Sequence, residues 1–354
     1  MYFIRRWNRT VLFWAMFVIA SAHTMRASAA ASPDRLKTTR GSEAGELTDM
    51  TPTEVTIDKG SSGTRKLPVN EIVSITFHDE PTELTQARVN AKNGGYVNAA
   101  ELLQKIDLSK VDRDYIKQDV EFYQAQCGAK LALSGTGEIN AAGSRLNDFV
   151  RKNRQNFHYW EAVETMGDLL AASEKYDGAQ KQYAELSKAP WPDYQMRADI
   201  ALGRILQAQD KYPEAIQQFD AVLAMPEDND SAKAQKLSAT LGKAVSLAAT
   251  SRVDDAAKMI EDMIANADPE QKELQARAYN ALGNCYEKAG KTKDALLAFL
   301  HVDVLYSTVP EAHAEALSHL IPLWQAVGQE ARAREARQTL QEKYANSRWA
   351  KATQ

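Results

Sequence analysis

The chain is poor in cysteine and lacks the spacings typical of metal sites. Its only cysteines, Cys127 and Cys285, are far apart in the sequence, and no C-x-x-C pair occurs. His313 and His319 are six residues apart, whereas a metal-binding pair on one helix has a spacing of four. We therefore predict no metal and no cofactor. A disulfide needs Cα atoms within about 7 Å, so we expect two separate buried thiols.

The sequence also lacks the motifs that would indicate catalysis. It has no G-x-S-x-G, no H-E-x-x-H and no glycine-rich loop after a strand. The segment 135–137 (GTG) falls in a turn between predicted helices and has no strand before it. The acidic run 227–230 (EDND) lacks the twelve-residue pattern of a calcium loop. We predict that the protein is not an enzyme and has no catalytic residue.

A block of basic residues is also missing. The formal net charge is −4, and residues 1–29 contribute four arginines and no acidic residue. The remainder is therefore mildly acidic. Because binding to nucleic acid depends on clustered lysine and arginine, we predict no nucleic-acid partner.

The first 29 residues have the organisation of a secretory signal peptide. Three arginines (Arg5, Arg6, Arg9) precede the apolar stretch Val11–Ala22, and the small-residue triplets 20–22 and 27–29 (both ASA) follow. Twelve helical residues span about 18 Å, which is less than the roughly 30 Å hydrocarbon core of a bilayer. We predict an exported protein, periplasmic or secreted. The alternative is a protein anchored in the membrane by residues 10–22.

Polar and β-rich segments follow the signal peptide. Residues 30–41 are polar and are interpreted as a linker. Residues 42–81 contain an alternating segment at 54–58 (EVTID), a glycine turn at 59–63 and a β-branched segment at 67–77. These features indicate a small antiparallel β module of three or four strands, packed on the first helix. Its end is set by Glu80-Pro81.

From Pro81 onward the sequence is helical and repetitive. Residues 281–299 place Leu282, Gly283 and Tyr286 on one helix, and Ala295 and Phe299 on the next. The second-helix alanine recurs every 36 to 41 residues, at positions 142, 179, 215, 256, 295 and 333. Such a repeat of one helical hairpin indicates a solenoid, in which each hairpin buries its apolar face against its neighbours.

This repeat resembles the tetratricopeptide repeat (TPR) family. Three copies match its pattern closely (160–193, 196–229, 276–309), two match it moderately (237–270, 314–347), and degenerate copies lie around 115–154 and 84–106. The resemblance implies a mainly α fold, a TPR-like hairpin solenoid with the small N-terminal β module. We divide the chain into 1–29 signal peptide, 30–41 linker, 42–81 β module, 82–154 degenerate repeats and 155–354 TPR array.

The resemblance also implies a function. First helices of the family line a concave surface that binds peptides, so the protein is expected to be an interaction scaffold for a protein or peptide partner. It is similar to exported TPR proteins of the bacterial cell envelope. Spacing along one helix face gives the candidate partner-binding residues Arg197, Arg204, Arg277, Asn280, Asn284 and Glu287. The alternative is that the β module carries binding or oligomerisation and the helices act as a spacer.

Overall fold

The structure is a computed structural model that describes residues 33–353. The predicted signal peptide, and with it the candidate membrane segment, lies outside the described residues. The described residues belong to one compact unit. Between residues 33 and 353 no helix combines the length and the apolar character needed to cross a membrane.

A five-stranded antiparallel sheet opens this unit. Its strands are β1 (Asp34–Thr38), β2 (Gly41–Met50), β3 (Glu54–Asp58), β4 (Thr64–Pro68) and β5 (Ile72–Thr76), in the spatial order β4-β3-β2-β1-β5. The predicted linker at 30–41 is therefore wrong over β1, which pairs with β2 on one side and with β5 on the other. The β module has one strand more than the largest number predicted.

Asp34 explains why a polar segment forms a strand. Its carboxylate accepts hydrogen bonds from the backbone N–H of Leu47 and of His78, both at 2.7 Å. It also forms an ion pair with Arg113, with N–O distances of 2.6 and 2.8 Å. Along β1 buried and exposed residues alternate, so Leu36 and Thr38 also point inward.

The inner face of the sheet packs on the first helices. Leu36, Val55 and Ile75 share one hydrophobic core with Leu84 and Leu103, which lie on the first two helices. The expected packing of the β module on the helices is thus confirmed. Because the sheet covers the apolar face of the first hairpin, it ends the array on that side.

Fifteen α-helices follow the sheet within the described residues. They are α1 (Thr82–Lys92), α2 (Tyr96–Gln104), α3 (Asp114–Leu133), α4 (Ile139–Lys152), α5 (Tyr159–Ala172), α6 (Tyr176–Leu186), α7 (Pro192–Ala208), α8 (Tyr212–Leu223), α9 (Asp230–Ala249), α10 (Val253–Asn266), α11 (Lys272–Lys288), α12 (Thr292–Leu305), α13 (Pro310–Ala326), α14 (Glu330–Tyr344) and α15 (Arg348–Ala352).

The first fourteen helices form seven consecutive hairpins, and their positions agree with the predicted repeats. The six second-helix alanines are all buried, with exposed fractions of 0–5%. The fold is therefore the predicted helical-hairpin solenoid with a small N-terminal sheet. The short helix α15 packs back on α13, since Ala350 belongs to the same core as Leu317 and Leu320. Cys127 and Cys285 are free and buried.

Candidate functional site

The first helices of several hairpins face one another across an inner space, which we call the lumen. Six charged side chains define it, and they come from α3, α5, α7 and α11: Lys130, Glu164, Asp168, Arg204, Glu273 and Arg277. Most of them are half-buried, and Glu273 is more exposed, although the residues around it still partly desolvate its carboxylate. Charged groups on helices that are distant in sequence are thus gathered in one place.

The charges that line the lumen influence one another's pKa values. Burial lowers the pKa of Lys130, but Asp168 and Glu273 on two other helices outweigh it and raise that pKa. Burial raises the pKa of Glu273, but Lys130, Arg277 and Arg204 outweigh it and lower that pKa. Lys130 on α3 and Glu273 on α11 are thus near enough to influence each other across the lumen.

Arg204 and Arg277 are two neighbouring positive charges within the lumen. Burial, together with the neighbouring positive charge of Arg277, lowers the pKa of Arg204 to about 10, against the opposite effect of Asp168 and Glu273. The Nε atom of Arg204 is buried and has no hydrogen-bond partner among residues 33–353. An anion placed between the two guanidinium groups would relieve their repulsion and satisfy this donor.

Acidic residues on α5 border this pair. Burial and the neighbouring carboxylate of Glu164 raise the pKa of Asp168 to about 6. The Tyr183 hydroxyl donates a 2.8 Å hydrogen bond to Asp168 Oδ1. The α5 side of the lumen therefore carries negative charge. Near pH 6 Asp168 is partly protonated, which reduces that charge.

Arg197, one of the predicted residues, is already engaged by the protein. Its guanidinium forms an ion pair with Glu164, including a 3.1 Å bond from Nε to Oε1, and it lies 4.6 Å from the ring centroid of Tyr194. A ligand would have to compete with Glu164 for it. Arg197 therefore joins α7 to α5 and is a weaker candidate than Arg204.

The other predicted residues join α11 to α13. Asn280 is 1% exposed, and its Nδ2 donates to the Ala312 carbonyl at 2.9 Å and to Glu315 at 3.2 Å. Asn284 Nδ2 donates to the same Glu315 at 3.4 Å, and Glu287 forms a 2.7 Å contact with His319. We therefore assign Asn280 to the packing between hairpins, since it lies too deep to meet a peptide. Asn284 and Glu287 are half-buried.

The one-face spacing on the copy at 160–193 also gives Glu164 and Asp168 as candidates, so two of the six lumen residues, Glu273 and Lys130, were missed by the sequence interpretation. Glu273 lies one turn before Arg277 on the same helix face, but it falls outside the matched copy 276–309. Lys130 lies on the degenerate repeat at 115–154. Extending the one-face spacing back by four residues would have found Glu273. For Lys130 the repeat pattern gave no signal. Within residues 33–353 no group of three or more His, Cys, Asp or Glu side chains is placed to hold a metal ion.

A buried ionic network supports the N-terminal side of the lumen. Arg88 pairs with Glu80 at 2.7 Å and with Asp119 at 2.6 Å. His158 Nε2 lies 3.0 Å from Asp119 Oδ1, and its Nδ1 lies 3.3 Å from Glu161. Burial lowers the pKa of His158, but its bonds to Asp119 and Glu161 outweigh burial and raise that pKa. The network ties α1, α3 and α5 together.

Comparison with known proteins supports the repeat architecture. The family model described as tetratricopeptide repeat matches residues 165–234, 200–272 and 241–303. No curated protein matches the sequence.

Solved structures share the fold at low sequence identity. The apo form of the quorum sensor NprR from B. thuringiensis is 11% identical, with a TM-score of 0.52 over 74% of this chain and 75% of that one. A tetratricopeptide repeat protein from Parabacteroides merdae is 15% identical, with a TM-score of 0.48 over 77% and 95% of the chains. A Rap protein complexed with competence and sporulation factor is 13% identical, with a TM-score of 0.48 over 76% and 77%. Of these three, NprR has a TM-score above 0.5, and at 11% identity that similarity concerns the fold alone.

Proposed function

We propose that the protein is a non-catalytic scaffold that binds a peptide segment of a partner protein in its lumen. The premise is that residues 165–303 belong to the tetratricopeptide-repeat family. A helical-repeat array offers an extended concave surface rather than a deep catalytic cleft. The observation that carries the proposal is the proximity of Arg204 and Arg277, together with the buried Nε atom of Arg204, which has no hydrogen-bond partner among residues 33–353.

The chemistry of this pair specifies what the partner presents. A carboxylate between the two guanidinium groups would accept charge-assisted hydrogen bonds, which are shorter and stronger than neutral ones. The acidic neighbours Asp168 and Glu273 would repel an anion elsewhere in the lumen. The partner segment therefore places one acidic group at the arginine pair and uncharged or basic residues on either side of it.

The test is selection of peptides from a displayed random decapeptide library on the wild-type protein. The selected peptides are then synthesised with a fluorescent label and titrated against variants. Arg204→Gln and Arg277→Gln should each weaken binding at least tenfold, which corresponds to the loss of about 1.4 kcal/mol from one charged hydrogen bond. Selected sequences should be enriched in one acidic residue.

Two controls make the result specific. Arg334→Gln removes an exposed arginine from the second helix α14 and should leave binding unchanged. Arg35→Ser combined with Lys37→Ser changes the exposed face of β1 and should also have no effect. Loss of binding in the β1 variant alone would favour the alternative that the β module binds. Equal binding by Arg204→Gln and wild type would refute the lumen site.

We also propose that the protein is exported and acts in the periplasm or outside the cell. The support is the sequence of residues 1–29 and the start of β1 at Asp34. Cleavage after Ala22 or after Ala29 would leave all five strands intact. Mass spectrometry of the native protein should find an N-terminus at residue 23 or 30. An intact N-terminus in the membrane fraction would support the anchored alternative, and an intact N-terminus in the cytoplasm would refute export.

A further inference from the structure

The turn between α3 and α4 touches the far end of the array. The Gly135 carbonyl accepts a 3.1 Å hydrogen bond from the backbone N–H of Asn346, which lies in the link between α14 and α15. A Cβ atom built on Gly135 would lie 2.4 Å from the backbone nitrogen of Ser347. The second hairpin is therefore in direct backbone contact with the link that follows the seventh.

A second contact repeats this relationship one hairpin earlier. Gly94 lies in the turn between α1 and α2, and a Cβ atom built on it would lie 3.1 Å from the carbonyl oxygen of Thr308. Thr308 lies in the link between α12 and α13. The first hairpin thus meets the link between the sixth and the seventh. We call these two contacts (Gly94–Thr308, and Gly135 with Asn346 and Ser347) the seam.

The seam closes the side of the lumen. The array winds until its N-terminal turns meet its C-terminal links, so a partner cannot enter the lumen sideways while both contacts are made. A helix with its side chains is roughly 10–12 Å wide, whereas an extended strand occupies about 5 Å in the plane of a sheet. Lys130, Glu273 and Arg204 influence one another across the lumen, and we take the thinner occupant, an extended segment, as the one that enters it.

We propose that the seam is a latch, which opens to admit an extended peptide into the lumen and closes around it. This inference rests on the proposed function, because it concerns access to the same site. The peptide is held as a single extended segment, with its acidic group at Arg204 and Arg277. Sideways entry and sideways release both depend on seam opening.

The seam is suited to opening because few interactions hold it closed. The Gly135 contact includes one hydrogen bond between backbone segments that lie in connecting loops, and such elements open locally far more easily than a packed core. By contrast, neighbouring hairpins share continuous hydrophobic cores. The array can therefore part at the seam while its hairpins stay folded.

Gly135→Ala tests the latch directly. The added methyl group would collide with Ser347 and hold the seam open. Gly290→Ala and Gly328→Ala are matched controls, because these glycines have φ values of 71° and 75°, close to the 80° of Gly135, but open space around them. Gly94→Ala, which presses on Thr308, is a second and milder variant in case Gly135→Ala does not fold.

Two readouts separate the latch from the binding site. Without ligand, amide hydrogen exchange at residues 345–348 should be about tenfold faster in Gly135→Ala than in the two controls, since overpacking destabilises the closed seam. With a fluorescent decapeptide selected on the wild type, both the association and the dissociation rates should rise about tenfold in the same variant, because the gate is open for entry and exit.

Each outcome bears on the proposal. Faster exchange together with faster association and dissociation supports the latch. Faster exchange with unchanged peptide rates overturns it while leaving peptide binding in the lumen intact. Exchange equal to that of Gly290→Ala shows that the seam is not a closed contact and overturns it as well. If the wild type selects no peptide at all, the lumen site and the latch are both rejected.

Discussion

The Tyr183 ring occupies the space that a side chain at Gly167 would fill. A Cβ atom built on Gly167 would lie 2.5 Å from Cε1 of that ring. The same relationship recurs between Gly203 and Phe219, and between Gly283 and Phe299, at 2.7 Å. Glycine on the first helix and an aromatic residue on the second thus set how closely the two helices of a hairpin approach.

Gly167→Ala should therefore destabilise the array. The methyl group overlaps a buried ring, and overpacking of this kind costs about 1–3 kcal/mol. Gly143→Ala is the matched control, because Gly143 also lies within a helix but has open space at its Cβ position. There alanine should be neutral or stabilising by about 0.5–1 kcal/mol. Urea unfolding measures both, and equal stabilities of the two variants would show that the ring does not fill the site.

Asp34→Ala should destabilise the N-terminal sheet and the core beneath it. The substitution removes a buried carboxylate that serves two backbone N–H groups and Arg113. We expect a loss of about 2–3 kcal/mol, the range for hydrogen bonds to charged groups. Lys37→Ala, on the exposed face of the same strand, should change the stability little. If both variants melt like the wild type, β1 is dispensable, as a linker would be.

The His158 network should give a stability that depends on pH. Because the pKa of His158 is raised in the folded state, its contribution is complete below the unfolded pKa of about 6.5 and is lost as pH rises through the folded pKa. The wild type should therefore exceed His158→Gln in stability by about 1–3 kcal/mol near pH 6, and by less above the folded pKa. Thermal melts from pH 5 to pH 9 measure this difference. A difference that grows with pH would contradict the assigned charge.

Asn280→Ala should lower stability rather than affect a peptide directly. The buried amide holds the Ala312 carbonyl and Glu315, so its removal should cost about 1–2 kcal/mol. Asn284→Ala removes one long bond from a half-buried side chain and should cost less than about 0.5 kcal/mol. Denaturant titration of the two variants provides the comparison. Reduced peptide binding by Asn280→Ala without a loss of stability would restore its predicted binding role.

The helical hairpins could be predicted because their signal is local and repeated. Positions 179, 215 and 295 need a small residue for the same reason in every copy, because two helices approach closely there. The period at which this alanine recurs therefore reveals the fold. β1 could not be predicted in this way. Three of its five residues are charged, and its stability comes from pairing on both sides and from Arg113, which follows 79 positions later.

The candidate site was predictable only in part, for a related reason. The spacing along each helix placed Arg204 on one face of α7 and Arg277 on one face of α11, and their role in binding stays a prediction. It could not show that Lys130 faces Glu273, nor that Gly135 meets Ser347, because both relationships depend on how tightly the whole array winds. That winding accumulates from small rotations at every hairpin.

The most direct test of the central claim is site-specific photo-crosslinking of the protein in its native cell. A benzoylphenylalanine residue replaces Glu273 in the lumen or, as a control, Leu297, which is 56% exposed on the second helix α12. The lumen position should capture a polypeptide, mass spectrometry should map the adduct to one extended acidic segment, and Arg277→Gln should abolish the adduct. Capture at position 297 but not at 273, or at 273 regardless of Arg277, would contradict a peptide site in the lumen.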